Sequence, residues 1–222
     1  MKKVEAILFD LDDTLLNRDQ AVENLFMIIL NTCYEKDKNS EIMLKKFKEY
    51  DRRHYGNQDK TPVVEAFFDE FPPSDRIPDE AIQDFWNTHF PSCFSIDPDT
   101  LTIIHTIKEH VKIAIITNGS TQRQLGKIRT TNLNLYFDTI LISEEVGISK
   151  PDQRIFEMAT MKLNVQPENV LFVGDNLVID IDGCQHANMK GIWFNPYKLL
   201  NDTEIKPYGE IDSLEQLLHY FT

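Results

Sequence analysis

The chain has 222 residues, 41% of them hydrophobic and 27% charged, with a formal net charge of −13. That length suits one large domain or a main domain carrying a smaller insert, and the composition is that of a globular protein with a sizeable core. The acidic balance excludes nucleic acid and anionic membrane as partners, since both call for a positive surface. An anionic ligand would have to be met by a local cation or by backbone N–H groups.

The opening "MKKVEAILFD" has the basic start of a signal peptide. Its apolar run is short, is broken by Glu5 and leads into Asp10 without a small-residue cleavage site, so none is expected. No window approaches the ~18 apolar residues that a membrane span takes. Cys33, Cys93 and Cys184 are scattered, and neither they nor the six histidines show metal-ligand spacing. Reduced, structural thiols in a soluble cytoplasmic protein are the expectation.

In chain order, residues 4–9 are a short β-rich run ending in acids, as expected of a buried strand. From 21 to about 91 the pattern is helical throughout: "AVENLFMIILNTCYE", "SEIMLKKFKEYDRRHY", "TPVVEAFFDEF" and "PDEAIQDFWNTHF". Pro62 and Pro78 stand where a first helical turn accepts proline. From residue 100 helices and strands alternate. "TLTIIHTIKEH", "TQRQLGKIRTTNL", "PDQRIFEMATMKL" and "VIDIDGCQHAN" read as helices, with "KIAIITNG", "TILIS", "NVLFVGD" and "KGIWFN" as strands between them. Such alternation predicts βαβ units and a parallel sheet, and "SLEQLLHYF" predicts a closing amphipathic helix. The fold class is therefore α/β: a Rossmann-like parallel sheet with helices on both faces, residues 1–17 and 95–222, and an all-helical unit, residues 18–94, inserted after the first strand. Linkers at 16–20 and 91–99 are expected to act as hinges. Such an insert sits over the carboxyl end of the first strand, where open α/β sheets bind ligands.

Four apolar strands end in polar signatures: Asp10-Leu11-Asp12, Thr117-Asn118-Gly119, Lys150-Pro151 and Gly174-Asp175. A parallel sheet brings all four to one edge. Burying carboxylates there costs several kcal/mol unless they are paired or bound to a metal. Asp10 and Asp12, two apart in an extended segment, share a face, and with Asp175 they make a cluster that needs a cation; oxygen donors of this kind suit Mg²⁺. A carboxylate beside Mg²⁺ is a nucleophile toward phosphorus, and a second one can protonate the leaving oxygen and then activate water. Thr117, Asn118 and neighbouring N–H groups are placed to hold phosphoryl oxygens, and Lys150 to neutralise developing charge.

With these motifs in this order and spacing, the sequence resembles the haloacid dehalogenase superfamily over most of its length: the DxDxT motif at Asp10 to Thr14, Thr117-Asn118, Lys150-Pro151, and GDxxxxD from Gly174 to Asp180. The resemblance implies Asp10 as nucleophile, Asp12 as general acid/base, Thr117 binding the phosphoryl group and Lys150 orienting it. Mg²⁺ would be held by Asp10, the backbone carbonyl of Asp12, and Asp175. Asp180 would partner Lys150 or a metal-bound water, and Thr14, Arg18 and Asn118 would bind substrate. Ile179 departs from the pattern, since many relatives carry Asn or Asp there. Members that cleave carbon–halogen bonds lack the acid at the position of Asp12, so the resemblance implies a phosphatase with a helical cap. "ANMKGIWFNP" leans toward its nucleotidase-type members.

The expected function is Mg²⁺-dependent hydrolysis of small phosphorylated metabolites, nucleoside monophosphates or sugar phosphates, by a monomer or homodimer. The alternatives are a phosphoglucomutase-like phosphotransferase and a non-catalytic phosphometabolite-binding protein. Arg18 either reaches a substrate phosphate or base or remains a solvated arginine. The charged stretch 51–60 is either a loop of the helical unit dipping into the site or, as charged stretches usually are, a solvated face. Phe67, Phe68, Phe71, Phe85, Trp86 and Phe90 are expected in the core of the helical unit, and Cys184 as a small core residue.

Overall fold

The computed structural model describes residues 3–35, 40–56 and 58–221. The strands are β1 (Ala6–Phe9), β2 (Lys112–Thr117), β3 (Thr139–Ile142), β4 (Val170–Gly174), β5 (Lys190–Phe194) and β6 (Gly209–Ile211). All pair in parallel, in the spatial order β3-β2-β1-β4-β5-β6. β1 is central, with Leu8 opposite Ala114 on one side and Phe172 on the other. The chain works outward from β1 through β2 to β3 and returns to the far side of β1 as β4. The strand order thus reverses between β1 and β4, the place where open α/β sheets form their ligand crevice.

Alternation along the strands builds two cores. Ala6 and Leu8 face one layer with Ala114, Ile116 and Phe172, packed by Ile155, Phe156 and Ala159. Ile7 and Phe9 face the other with Ile113, Ile115, Leu171 and Val173. Because both faces are covered, these strands are apolar throughout rather than alternating with polar residues.

Helices α1 (Arg18–Cys33), α2 (Ser40–Arg53), α3 (Thr61–Glu70) and α4 (Asp79–His89) lie between β1 and β2 in the chain. Asn17 caps α1, its side chain accepting a hydrogen bond from Gln20 N at 2.9 Å, and α3 carries Pro62 in its first turn. Pro78, expected inside the first turn, is instead the residue that caps α4. The four helices close on an aromatic cluster in which Phe47 lies 5.7 Å from Phe26, 5.3 Å from Phe67 and 6.2 Å from Trp86 between ring centroids. Phe67, Phe68 and Trp86 are fully buried there, as expected, while Phe71 and Phe85 are partly exposed at its margin.

The remaining helices are α5 (Pro98–Lys108), α6 (Thr121–Thr130), α7 (Ser143–Val146), α8 (Gln153–Leu163) and α9 (Gly183–His186). Three features depart from the sequence expectation. β6 is a three-residue strand, too short for a periodic signal. Leu214–Tyr220 winds as a 3-10 rather than an α-helix. The expected helix at 178–188 begins as a π-helical segment, Leu177–Asp182, before α9; such segments concentrate at functional sites. Among the described residues no helix is long and apolar enough to cross a membrane.

Leu8, fully buried at the middle of the central strand, should be a sensitive position. Leu8→Ala is expected to destabilise the protein by roughly 2–5 kcal/mol, read from the shift in the urea unfolding midpoint.

Candidate functional site

Asp10 directly follows β1, and its N–H donates to the Val173 carbonyl at 2.9 Å, extending the β1–β4 ladder by one bond. That bond sets Asp10 beside Asp175, which follows β4. Beyond Asp10 the chain turns sharply. Asp13 has φ +59°, its N–H donates to Leu16 O at 2.7 Å, and its side chain accepts from Arg18 N at 3.0 Å. Asp12 is thereby held at the strand end, over the crevice.

Lys150 enters from the β3–α8 connection, and Asn118 places it. The Asn118 side chain accepts from Lys150 N and donates to Lys150 O, each at 2.9 Å. The Lys150 ammonium then bridges Asp10 Oδ1 at 2.5 Å and Asp180 Oδ1 at 2.7 Å. Asp180 comes from the π-helical segment, and its second oxygen accepts from Asn176 N at 3.1 Å. A Cβ on Gly174 would fall 2.5 Å from Asp180 atoms; the glycine of the Gly174-Asp175 signature is what allows Asp180 to reach Lys150.

Asp10, Asp175 and Asp180 offer carboxylate oxygens within 4.8 Å of one another. Asp12, Thr117 and Lys150 join them around a cavity of about 450 Å³, which Arg18, Tyr55, Lys60, Phe90, Arg123 and Ile179 also line. Thr117 accepts a hydrogen bond from Gln124 Nε2 at 2.6 Å, so its own proton is free to be donated. Arg18 is neither free nor solvated: it makes a two-pronged pair with Asp51, at 2.6 and 2.9 Å, and its guanidinium lies 4.8 Å from the Tyr55 ring centre.

Of the expected substrate contacts, Asn118 lines the cavity, with its side chain bonded to the Lys150 backbone. Thr14 lines a separate hollow beside Asn17 and Ile96, with its buried hydroxyl unpartnered. The expectation for 51–60 as a solvated face fails at its functional positions: Asp51 and Lys60 are 1% and 3% exposed, and Lys60 donates to Asp51 and to the His54 carbonyl. Asn57 lies outside the described residues. Phe90 belongs to the aromatic core but also faces the cavity. Sequence reasoning missed Gln124 and Lys127, which hold Asp12: Lys127 Nζ is 2.7 Å from both Asp12 oxygens and Gln124 Nε2 is 3.0 Å from one. The available signal was Gln124 and Lys127 one turn apart on α6, directly after the Thr117 strand and beside the apolar Ile128.

The charges are distributed unevenly. Among the described residues, Asp10, Asp12 and Asp180 form their ion pairs with Lys127 and Lys150 at the sheet edge, and with Asp175 they make a formal surplus of two negative charges there. The rest of the lining carries Arg18, Lys60 and Arg123 against Asp51, a surplus of two positive charges. Burial pushes Asp10 up to about 7 despite Lys150, and burial with the neighbouring Asp10 and Asp180 charges pushes Asp175 up to about 8. For Asp12 burial is outweighed by the charge and hydrogen bonds of Lys127 and by Gln124, which hold it below the usual carboxylate range. Burial likewise opposes the ammonium of Lys150, but Asp10 and Asp180 prevail and raise it. A hard divalent cation fits this edge. Both Asp180 oxygens are engaged, Asp10 and Asp175 have oxygens to spare, the donors are all oxygen, and the surplus of two negative charges is the one it would cancel.

A family model described as haloacid dehalogenase-like hydrolase matches residues 7–194. Glyceraldehyde 3-phosphate phosphatase of Pyrococcus furiosus is 30% identical over 229 aligned residues, covering 98% of this chain and 93% of that protein. Pyrimidine 5'-nucleotidase YjjG of Escherichia coli is 36% identical over 121 residues, 54% of each chain. The HAD-hydrolase YfnB of Bacillus subtilis, solved bound to magnesium, has a TM-score of 0.82 at 24% identity, with both chains covered completely.

The raised acids give the metal-free protein a pH signature. A carboxyl whose folded pKa lies above its unfolded value binds more protons when folded, so the stability it contributes is lost as pH rises through the folded pKa. Metal-free protein is expected to lose thermal stability between about pH 4 and pH 8 through Asp10 and Asp175. Asp175→Asn should flatten that fall and raise Tm at pH 8 by roughly 2–4 °C for each kcal/mol relieved, as followed by thermal melts across the range in chelator.

Proposed function

The chain belongs to the haloacid dehalogenase-like hydrolases and is a phosphatase, and on that footing we propose that it hydrolyses small phosphomonoesters through a phosphorylated Asp10, with Mg²⁺ as cofactor. The observation that carries the reading is Asp12 at the cavity, two residues after Asp10. An alkoxide leaving phosphorus needs a proton and a halide leaving carbon does not, so an acid in that place favours phosphate esters.

A carboxylate oxygen of Asp10 attacks phosphorus, the ester P–O bond breaks, and Asp12 gives its proton to the departing alcohol oxygen. Asp12 is ionised beside Lys127 before substrate arrives; a phosphate dianion entering the cavity is a like charge that raises its affinity for a proton, and Asp12 takes up from solvent the proton that it then donates. In the second step Asp12 takes a proton from water, the water oxygen attacks phosphorus, and the acyl-phosphate P–O bond breaks to restore Asp10. Lys150 keeps Asp10 ionised and oriented, and the Thr117 hydroxyl donates to a phosphoryl oxygen. Asp10, Asp175 and the Asp12 backbone carbonyl would hold Mg²⁺, which when bound offsets the repulsion between phosphate and carboxylates.

The helices of residues 18–94 act as a cap over a core of residues 1–17 and 95–222. Arg18, Tyr55 and Lys60 bring the cap to the cavity, and a space of about 450 Å³ accommodates a nucleoside monophosphate or a sugar phosphate. The relatives named for glyceraldehyde 3-phosphate and for pyrimidine nucleotides support both classes. The buried, unpaired Cys33, Cys93 and Cys184 agree with work in a reducing cytoplasm.

Phosphate release from a panel of nucleotides, sugar phosphates and p-nitrophenyl phosphate tests the reading. Release is expected with Mg²⁺, to vanish with chelator, and to drop to background in Asp10→Asn, whose melting curve should remain cooperative. Undiminished turnover by Asp10→Asn would remove Asp10 as nucleophile.

A further inference from the structure

Lys127 is a buried lysine for which neither the sheet nor the proposed cation has a use. Its side chain is 5% exposed, and its ammonium lies between both Asp12 oxygens at 2.7 Å and the rings of Phe94 and Phe90, whose centres are 4.7 and 5.7 Å away. One turn earlier, Gln124 is equally buried and uses both amide hydrogens, one on Asp12 Oδ2 at 3.0 Å and one on Thr117 Oγ1 at 2.6 Å. A buried ion pair is seldom stabilising relative to apolar side chains of the same volume, so stability does not account for keeping this one. What the pair does is fix Asp12. Without Lys127 and Gln124, Asp12 would lose the side-chain hydrogen bonds that hold its carboxylate.

We propose that Lys127 and Gln124 are positioning residues for proton transfer: α6 holds the Asp12 carboxylate in line with the leaving oxygen and ties it through Gln124 to the phosphoryl-binding Thr117. Two features make α6 a firm base for this. Gly126 lies between the two residues, and a Cβ there would fall 2.8 Å from Pro91, so the helix seats directly on the Phe90–Cys93 turn. The aromatic faces of Phe90 and Phe94, from that turn and the residue after it, hold the ammonium on the side away from Asp12. The inference rests on Asp12 being the acid of the proposed phosphatase reaction.

The test compares two substrates in the Mg²⁺-loaded enzyme. An alkyl phosphate needs its leaving oxygen protonated, whereas p-nitrophenolate leaves without a proton. Lys127→Met is expected to lower kcat/KM, which reports the steps up to release of the alcohol and not the later attack of water, by about 100-fold on the alkyl phosphate, the cost of a misplaced proton donor. The loss of kcat/KM on p-nitrophenyl phosphate should be less than about 10-fold. Gln124→Leu should show the same selectivity more weakly, and Lys127→Arg, which restores the charge and donors, should recover part of the alkyl-phosphate rate. Equal losses on both substrates, or none, would overturn the inference. Asp12→Asn is the control. If it shows the leaving-group selectivity and Lys127→Met does not, the positioning role is wrong while the reading of Asp12 stands. If Asp12→Asn itself shows no selectivity, Asp12 is not the acid and both fall. Should Lys127→Met melt early, Gln124→Leu, which leaves no charge unpaired, carries the comparison.

Discussion

The carboxylates crowded at the reversal between β1 and β4 are the constraint on which the rest of the molecule turns. Asp10 and Asp175 are adjacent because the strands they follow are neighbours in the sheet, and Asp180 joins them because the chain turns back after Gly174. Charges so placed repel one another and lose their hydration. Lys150 and Lys127 relieve half of the burden. The remainder appears as the upward pressure on Asp10 and Asp175, and a divalent cation would remove it. The site is thus unsettled by itself and is expected to be complete only when loaded.

The lining beyond the sheet edge has the opposite surplus. Arg18 and Lys60 converge on Asp51, and Arg123 adds a further cation. A cation and then an anion would be drawn in turn to opposite ends of one cavity, in the order a metal-assisted reaction of a phosphate ester requires. Several polar side chains serve by holding other side chains: Asn118 fixes Lys150 through its backbone, and Gln124 joins Asp12 to Thr117. The polar array of the site is therefore set by bonds to rigid strands and to α6 rather than by flexible loops.

The parallel sheet and the acids were legible in the sequence because both follow from local signals: apolar runs of strand length, each ending in polar residues. Five of the six strands and the placement of Asp10, Asp12, Thr117, Lys150 and Asp175 at one sheet edge came from that pattern, whereas Asp180 came from the family resemblance. The residues that escaped share a different character. Lys127, Lys60 and Asp51 are charged, and a charged residue on a helix or loop is ordinarily solvated; only the fold reveals that each is buried against a partner, one distant in sequence for Lys127 and Asp51. Lys127 and Asp12 are 115 residues apart, and Arg18 and Asp51 are 33 apart. Asn118 was read with Thr117 as a holder of phosphoryl oxygens; it lines the same cavity, but its side chain bonds the Lys150 backbone 32 residues away, a pairing that no local signal shows. β6 is a short piece with too few residues to register a period, and the final segment, whose apolar spacing predicted an α-helix, winds as a 3-10 helix.

The most direct test of this account is calorimetric titration of Mg²⁺ into the metal-free protein at pH 7, repeated in buffers of different ionisation enthalpy. Asp10 and Asp175 are partly protonated there without metal, and a cation bound by them must displace those protons. The account predicts one ion bound with measurable proton release, and loss of both in Asp175→Asn. Absence of binding, or binding with no proton exchanged, would contradict the claim that surplus carboxylate charge at the β1–β4 edge is what the site is built to hold.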